Sequence, residues 1–275
     1  MSDDVEKRAI GKMMRRLIPF LILCYFVAYL DRVNVGFAKL HMNTALGLSE
    51  AAYGLGAGLF FVGYFFFEVP SNILLERFGA RRWIARIMIS WGIVSAAFAF
   101  IPQMSAATGL SSEWIFYFLR LLLGACEAGF FPGIIFYLTL WFPTIYRARV
   151  ISLFMLAIPI SSIIGAPISG LLLNLSGAGL TGWQWLFICE ALPSVLVGFA
   201  VLAMLPDFPR QANWLQPDEI KWVQNTLETE RQKKEAVEHI SVMQSLTDSR
   251  VLACALVYFC LNAASYGVAF FLPTI

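Results

Sequence analysis

Several charged side chains lie within long apolar stretches of this sequence, where a charge is unexpected. They comprise two arginines and four acids: Arg32, Arg120, Asp31, Glu68, Glu127 and Glu190. A charge at membrane depth costs several kcal/mol, so it normally faces an opposite charge or a water-filled cavity. An arginine guanidinium binds a carboxylate through two parallel hydrogen bonds. The cluster therefore predicts a buried site that binds an organic anion.

The composition places these charges in a membrane. Hydrophobic residues make up 59% of the 275 residues, charged residues make up 14%, and the mean hydropathy is +0.71. A soluble domain carries about 45–50% apolar residues and about 25% charged residues. Apolar windows long enough to cross a bilayer lie at 17–38, 50–73, 84–103, 113–138, 150–174, 183–205 and 251–275. The sequence therefore predicts an all-α, polytopic membrane protein, and it excludes soluble enzymes and nucleic-acid-binding modules.

Lysine and arginine residues divide the chain between the two sides of the membrane. Most of the 20 lie in residues 1–16, in the turns after the second and fourth windows, and in residues 206–250. All of these segments share one side if the windows alternate in direction. Because short basic loops stay in the cytoplasm, we predict a multi-pass protein of the inner (plasma) membrane with a cytoplasmic N-terminus.

The windows also predict the domain organisation. A cytoplasmic N-terminus is followed by a six-helix transmembrane domain, a cytoplasmic linker and the first part of a seventh helix, with bounds at 1–16, 17–205, 206–250 and 251–275. Within the linker, Pro217 suits the first turn of an amphipathic helix. The buried arginines lie in the first and fourth windows, and this placement predicts two three-helix repeats with the site near their interface.

Counting along the helices gives each charge a depth. Asp31 lies ~9 Å and Arg120 ~10 Å below the outer boundary of the hydrocarbon core, so the two could pair. Glu127 follows Arg120 by two helical turns on the same face, at about the depth of Tyr64. A buried carboxylate beside an arginine can bind or release a proton when its partner moves.

The first helix presents its polar residues in two directions. Tyr29 and Arg32 share one face, whereas Asp31 points ~100° away from Arg32. The alternative interpretation is a static ion-pair network that holds the first and fourth helices together. Glu68 and Glu190 are open: each has either a direct role or a structural one, as a snorkelling side chain or a loop cap.

Other chemistries lack a sequence signal. The five cysteines have no paired or metal-type spacing. The sequence also contains no nucleophile–base set and no phosphate-binding loop. We therefore predict that the protein is not an enzyme and that it uses no metal, no organic cofactor and no nucleic-acid partner.

The turn after the second window resembles the loop between helices 2 and 3 of the major facilitator superfamily. It reads Glu76-Arg77-Phe78-Gly79-Ala80-Arg81-Arg82. The pattern of the superfamily has a glycine four residues before the acid, where this chain has Asn72. The resemblance implies a gating loop, whose charges latch one half of a transporter against the other in one state, formed by Glu76, Arg77, Gly79, Arg81 and Arg82.

More specific motifs resemble the anion:cation symporter family within that superfamily. Two of them carry the buried charges, Tyr29-Leu30-Asp31-Arg32-Val33-Asn34 and Arg120-Leu121-Leu122-Leu123-Gly124-Ala125-Cys126-Glu127-Ala128-Gly129. Three more are Glu68-Val69-Pro70-Ser71-Asn72, Trp141-Phe142-Pro143 and Asp207-Phe208-Pro209. The resemblance covers essentially the whole chain. It is strongest to tartrate transporters and nearly as strong to hydroxyphenylacetate and phthalate permeases.

This resemblance implies a role for each matched residue. The substrate-binding residues would be Tyr29, Arg32, Tyr64 and Arg120. The protonation sites would be Asp31 and Glu127. In that scheme Asp31 engages and releases Arg120 while the arginine of the first helix binds the substrate carboxylate.

The implied function is proton-coupled symport of a small organic anion, such as tartrate or a related hydroxy or sugar acid. Protons would be the coupling ion, without any cofactor. An aromatic-acid permease and a non-transporting membrane sensor or scaffold stay open as alternatives. Members of the family have twelve helices, whereas this sequence ends within the seventh. The expected partners are therefore an organic anion, the lipid bilayer and a missing C-terminal half.

Overall fold

The computed structural model of the chain describes the backbone of residues 2–235 and 247–271, with side chains within 4–233 and 247–268. The middle of the predicted linker, 236–246, and the end of the seventh window, 272–275, lie outside the described residues. Helices account for almost all of the described chain, and that part contains no β-strand. The predicted all-α architecture is confirmed.

Seven apolar segments of the described chain are long enough to cross a membrane, and we number them as spans. Spans 1 and 2 are Ser2–Leu46 and Glu50–Phe78, and span 3 runs from Ala80–Ala97 through a 3₁₀ turn, Phe98–Phe100, into Ile101–Thr108. Spans 4 and 5 are broken helices, Ser112–Glu127 with Phe130–Trp141 and Thr144–Met155 with Ala157–Leu173. Spans 6 and 7 are Gly182–Met204 and Ser249–Phe271. Between them lie a 3₁₀ turn and the linker helix, Pro209–Gln211 and Pro217–Glu235.

Polar caps and glycines fix the ends of the spans. The hydroxyls of Ser49 and Ser111 each accept a backbone N–H from the first turn of spans 2 and 4, and Thr181 begins span 6 with a capping box. Such caps satisfy N–H groups that have no partner within a helix. Gly79 joins spans 2 and 3 with a φ of 88°, a left-handed conformation that favours glycine.

Spans 2 and 4 are in backbone contact through glycines. A Cβ added to Gly124 would meet the carbonyl of Phe60, and one added to Gly63 would meet the carbonyl of Leu121. Small residues allow such close approach between membrane helices. This contact holds the segment of span 4 that carries the predicted site residues directly against span 2.

The order of packing reflects two groups of three spans. Span 1 packs on span 5 and span 2 packs on span 4, so the first span of each group lies against the second span of the other. Spans 3 and 6, the third of each group, pack on one another. This arrangement confirms the predicted six-helix bundle of two three-helix repeats.

The N-terminus and the linker helix meet on one side of the bundle. Span 1 is helical from Ser2, so the predicted boundary between residues 16 and 17 lies within a continuous helix. The Arg8 guanidinium donates to Asp218 at 2.8 Å, and the Lys12 ammonium lies 2.8 Å from the fully buried Glu219 carboxylate. The linker helix is thereby attached to the first turns of span 1.

The linker also packs on spans 4 and 5. The indole rings of Trp141, at the end of span 4, and Trp214 are stacked, with centroids 5.7 Å apart and planes 16° apart. Glu230 accepts the backbone N–H and the hydroxyl of Thr144, at the start of span 5, at 2.9 and 2.8 Å. We call this side of the bundle, which carries the N-terminus and the linker helix, the basic side.

Candidate functional site

A buried ion pair joins spans 1 and 4. The Nε of Arg32 donates to Oε1 of Glu127 at 2.8 Å, and the Nη2 of the same guanidinium contacts the same oxygen. The side chains are 10% and 3% exposed. Glu127 is the last residue of the first helix of span 4, because Ala128 leaves the helical conformation with a ψ of 131° before Gly129, with a φ of 85°, begins the next helix. The negative end of that helix dipole favours the cation as well.

Aromatic side chains enclose the Arg32 guanidinium. Its Nη1 donates to the hydroxyl of Tyr266, from span 7, at 2.6 Å. Its Cζ lies 5.6 Å from the ring centroid of Tyr64 and 5.9 Å from that of Phe60, both on span 2. These contacts are within the range of cation–π interactions. Tyr64 therefore contributes its ring face to the site.

Tyr29 lies one turn before Arg32 on span 1. Its side chain is half-buried and stands edge-on to Tyr25, with ring centroids 6.3 Å apart. Sequence reasoning did not single out Phe60 or Tyr266. Tyr266 has a weak signal, a polar side chain in the apolar seventh window, whereas a phenylalanine among 24 in the chain has none.

Arg120 contacts span 2. Its Nε donates to the carbonyl of Gly56 at 3.2 Å and its Nη2 to that of Ala57 at 3.4 Å, with the Phe60 ring centroid 4.9 Å from Cζ. The glycine contacts between spans 2 and 4 bring these carbonyls within reach of the guanidinium. The interaction of Arg120 with Asp31 that their matching depths allow stays a prediction.

Asp31 faces away from Arg32, as the helical offset predicts. Its Oδ1 accepts hydrogen bonds from Asn34 Nδ2 at 2.9 Å and from the hydroxyl of Ser95 on span 3. The Asp31 side chain is 3% exposed. The predicted charges thus lie in two places, Arg32 with Glu127 on one face of span 1 and Asp31 on another.

The two open acids differ in their surroundings. Glu190, on span 6, is 3% exposed, and its Oε1 accepts the hydroxyl of Ser169, on span 5, at 2.6 Å. Glu68 is half-buried on span 2. Glu190 therefore belongs to the interior of the bundle, whereas Glu68 lies at its edge.

The predicted gating loop lies at the Gly79 turn on the basic side, where Asp207 contacts it. The backbone N–H of Arg81 donates to Oδ1 of Asp207 at 2.8 Å, and Arg81 Nε lies 3.9 Å from Oδ2. A Cβ on Gly79 would come within 3.1 Å of the same carboxylate. The other charged residues of the loop, which are exposed, are Glu76, Arg77 and Arg82. The loop is thereby connected to the start of the linker.

No group of three or more His, Cys, Asp or Glu side chains within the described ranges is arranged to hold a metal ion. The chemistry of this interior is that of carboxylates, guanidinium groups and hydroxyls. Such a set binds anions and protons.

Comparison with known proteins identifies the family. The model of the Major Facilitator Superfamily matches residues 21–275. The chain belongs to the Major Facilitator Superfamily. It is 51% identical over 276 residues to a protein of Agrobacterium vitis named "Putative tartrate transporter", a match that covers 100% of this chain and 61% of that protein. It is 44% identical over 273 residues to a protein of Acinetobacter baumannii named "Quinolone resistance transporter", with coverages of 99% and 61%.

A solved structure has the same fold. The chain superimposes on a bacterial homologue of the human lysosomal transporter Spinster, in an inward-facing and unoccupied conformation, with a TM-score of 0.63. The identity is 16%, and the match covers 94% of this chain and 54% of that one. This Major Facilitator chain thus spans about 60% of the length of the curated relatives that it matches. It is a multi-pass membrane protein of a transporter superfamily and not an enzyme.

Proposed function

We propose that the complete protein is a proton-coupled symporter that carries a small organic anion, tartrate or a related hydroxy or sugar acid. The observation that carries the proposal is the buried ion pair between Arg32 and Glu127. An arginine at membrane depth whose partner can be neutralised by a proton is suited to exchange that partner for a substrate carboxylate.

The ion pair supplies a coupling mechanism. With Glu127 ionised, the Arg32 guanidinium is occupied and an entering carboxylate competes with the glutamate. Protonation of Glu127 removes the competing charge, and the substrate carboxylate takes its place on the guanidinium. A buried charge left without a partner is costly, so the anion and the proton enter together. Asp31 and Arg120 are the second protonation site and the second cation of this scheme.

The aromatic surroundings of Arg32 support a second candidate substrate. The rings of Phe60 and Tyr64 and the hydroxyl of Tyr266 all lie at the guanidinium. Rings of this kind can stack on an aromatic acid of the hydroxyphenylacetate or phthalate type.

The orientation and the remaining half are part of the same proposal. The basic side carries most of the lysines and arginines. We therefore place this side and the N-terminus in the cytoplasm, and the spans in the inner (plasma) membrane. The chain covers 61% of the Agrobacterium vitis relative. We therefore expect a C-terminal half, encoded after residue 275, to supply the opposite wall of the cavity.

The test is uptake of labelled anions by cells that express the complete transporter. The panel contains tartrate, a sugar acid, 4-hydroxyphenylacetate and phthalate, each with and without a protonophore. We expect uptake of one anion that the protonophore abolishes. Arg32→Ala should lower that uptake about 100-fold, because a buried charged partner is worth ~2–5 kcal/mol. Glu127→Gln should weaken the stimulation by acidic external pH, because one of the protonation sites is lost.

The matched control is Arg149→Ala, which removes an exposed arginine outside the site. It should leave uptake unchanged. Uptake of the panel that ignores the protonophore, or that survives Arg32→Ala at the control level, would contradict the symport mechanism. If no member of the panel is transported by protein present in the membrane, another organic anion is the first alternative and the sensor or scaffold is the second.

A further inference from the structure

A second buried polar cluster lies inside the bundle, on the face of span 1 that points away from Arg32. Its side chains come from spans 1, 3, 5 and 6, each is at most 3% exposed, and they are Asp31, Asn34, Ser95, Ser169, Glu190 and Ser194. Buried polar groups must be hydrogen-bonded to be tolerated. The mechanism proposed above uses only one member of the cluster, Asp31.

Both carboxylates of this cluster accept hydrogen bonds from neighbouring side chains. Asp31 accepts from Asn34 and Ser95, and Glu190 accepts from Ser169. The Asn34 amide also lies near the Glu190 carboxylate, and the two carboxylates are close enough for their charges to interact. Spans 1 and 6, which carry the two acids, pack on one another.

Neither Asp31 nor Glu190 takes part in the ion pairs found among the described residues. The other titratable groups near them are Arg120 and Glu127 from span 4 and Cys189 on span 6. The guanidinium of Arg120 donates to span 2 carbonyls, and Glu127 is engaged by Arg32. Two carboxyl groups at one buried site are costly in free energy to ionise together, because their negative charges repel each other away from water.

Two oxygens of span 6 lack a hydrogen-bond partner in the described part of the chain. They are Oε2 of Glu190 and Oγ of Ser194, and both are buried. Residues four apart on a helix are neighbours on one face. If Oε2 of Glu190 carried a proton, it could donate a hydrogen bond to Oγ of Ser194. Both oxygens would then have a partner. Donors already occupy Oδ1 of Asp31 and Oε1 of Glu190, which leaves fewer lone pairs to coordinate a metal cation.

We propose that Glu190 is a proton-binding site, and that Glu190 and Asp31 form a proton-binding pair in the bundle interior, separate from the Arg32–Glu127 pair. The inference deepens the proposed symport and rests on it for its role in transport. Glu127 exchanges its proton as the anion binds, whereas the Glu190–Asp31 pair carries a further coupling proton in the bundle interior.

The first experiment measures proton stoichiometry. The complete transporter is reconstituted in proteoliposomes with the membrane potential clamped at zero, and anion accumulation is measured across an imposed pH gradient. Each coupled proton contributes about tenfold to the accumulation ratio per pH unit, since one pH unit equals ~1.4 kcal/mol. Glu190→Gln should therefore lower the ratio about tenfold per pH unit. Exchange of labelled for unlabelled anion without a gradient should persist.

The matched control is Glu113→Gln, an exposed carboxyl of span 4. It should keep the wild-type ratio. A Glu190→Gln variant with the wild-type ratio overturns the proposal, and so does accumulation that requires Na⁺ and loses this requirement in Glu190→Gln. If the wild-type protein transports no anion, the proposed symport function is contradicted. The second experiment then still tests whether Glu190 binds a proton.

The second experiment detects the proton directly, without transport. Infrared spectra of the purified complete protein at neutral pH should contain the carbonyl stretch of a protonated carboxyl group that is absent in Glu190→Gln. Ser194→Ala, a small change with little effect on folding, should move that band to higher frequency because the acid loses its acceptor. A wild-type spectrum without such a band, or a band indifferent to both substitutions, overturns the proposal.

Discussion

The Arg32 guanidinium uses most of its donors at once. Nε and Nη2 contact one glutamate oxygen, Nη1 reaches a phenol from span 7, and two rings of span 2 lie beside its Cζ. An arginine presents five donors in a rigid, planar fork, whereas a lysine is a compact point charge. The fork lets one side chain connect spans 1, 4 and 7. The span 7 contact is the one that can be removed with the least disturbance.

Tyr266→Phe removes one hydroxyl and keeps the ring. We expect the KM for the transported anion to rise about tenfold with little change in the maximal rate, because a hydrogen bond to a charged group is worth ~1.5–3 kcal/mol. Initial-rate uptake by the complete transporter measures both quantities. Tyr258→Phe is the matched control, an exposed tyrosine on the same span. Identical kinetics for the two variants would argue against a role for the Tyr266 hydroxyl at the site.

At the scale of the elements, glycine residues set the distance between spans 2 and 4. Gly124 faces a backbone carbonyl of span 2, and a side chain there would push the two helices apart. The same contact sets Arg120 against the carbonyls of Gly56 and Ala57. The position of Arg120 therefore depends on Gly124, a residue without a side chain that could bind a ligand or a proton.

Two glycine-to-alanine changes should have opposite effects on stability. Gly58→Ala, on span 2, meets nothing within 4 Å, and it should gain up to about 1 kcal/mol from helix propensity. Gly124→Ala meets the Phe60 carbonyl and should lose ~1–3 kcal/mol by overpacking. Thermal melts of the purified complete protein in detergent measure the difference. A Gly124→Ala protein as stable as Gly58→Ala would contradict the close contact.

The spans themselves could be predicted from the sequence, because hydropathy and length are enough to identify a membrane helix. The breaks in spans 4 and 5 could not, since both lie within windows that are long and apolar enough to form one continuous helix. The pairing of the charges also escaped prediction. Counting residues gives a depth along the membrane normal, whereas pairing depends on how each helix is rotated and which neighbour it touches. Depth alone therefore did not indicate the pair of Arg32 with Glu127.

Across the whole molecule, the linker is held to the bundle by charge and by aromatic stacking. The buried Glu219 carboxylate forms an ion pair with Lys12 of span 1, and Glu230 accepts a hydrogen bond from Thr144 of span 5. Asp207 joins the start of the linker to the Gly79 turn. The linker helix is thereby part of the folded domain, docked on three of its spans.

A charge swap tests this attachment. Glu219→Lys buries a cation beside Lys12 and should lower the free energy of unfolding by ~3–5 kcal/mol, the cost of breaking a buried pair. Adding Lys12→Glu restores opposite charges, so the double variant should recover part of the loss. Thermal melts of the complete protein measure both, with the exposed Lys221→Glu as the control. Additive losses in the double variant would exclude a direct pair.

The stacked indoles of Trp141 and Trp214 turn the same attachment into an optical signal. Two aromatic chromophores 5.7 Å apart and nearly parallel share their excited states, so their circular dichroism and emission differ from those of isolated indoles. One indole belongs to a membrane span and the other to the linker. Release of the linker during a transport cycle would separate the chromophores, and the difference spectrum against Trp214→Phe would follow that event in real time, without an added label.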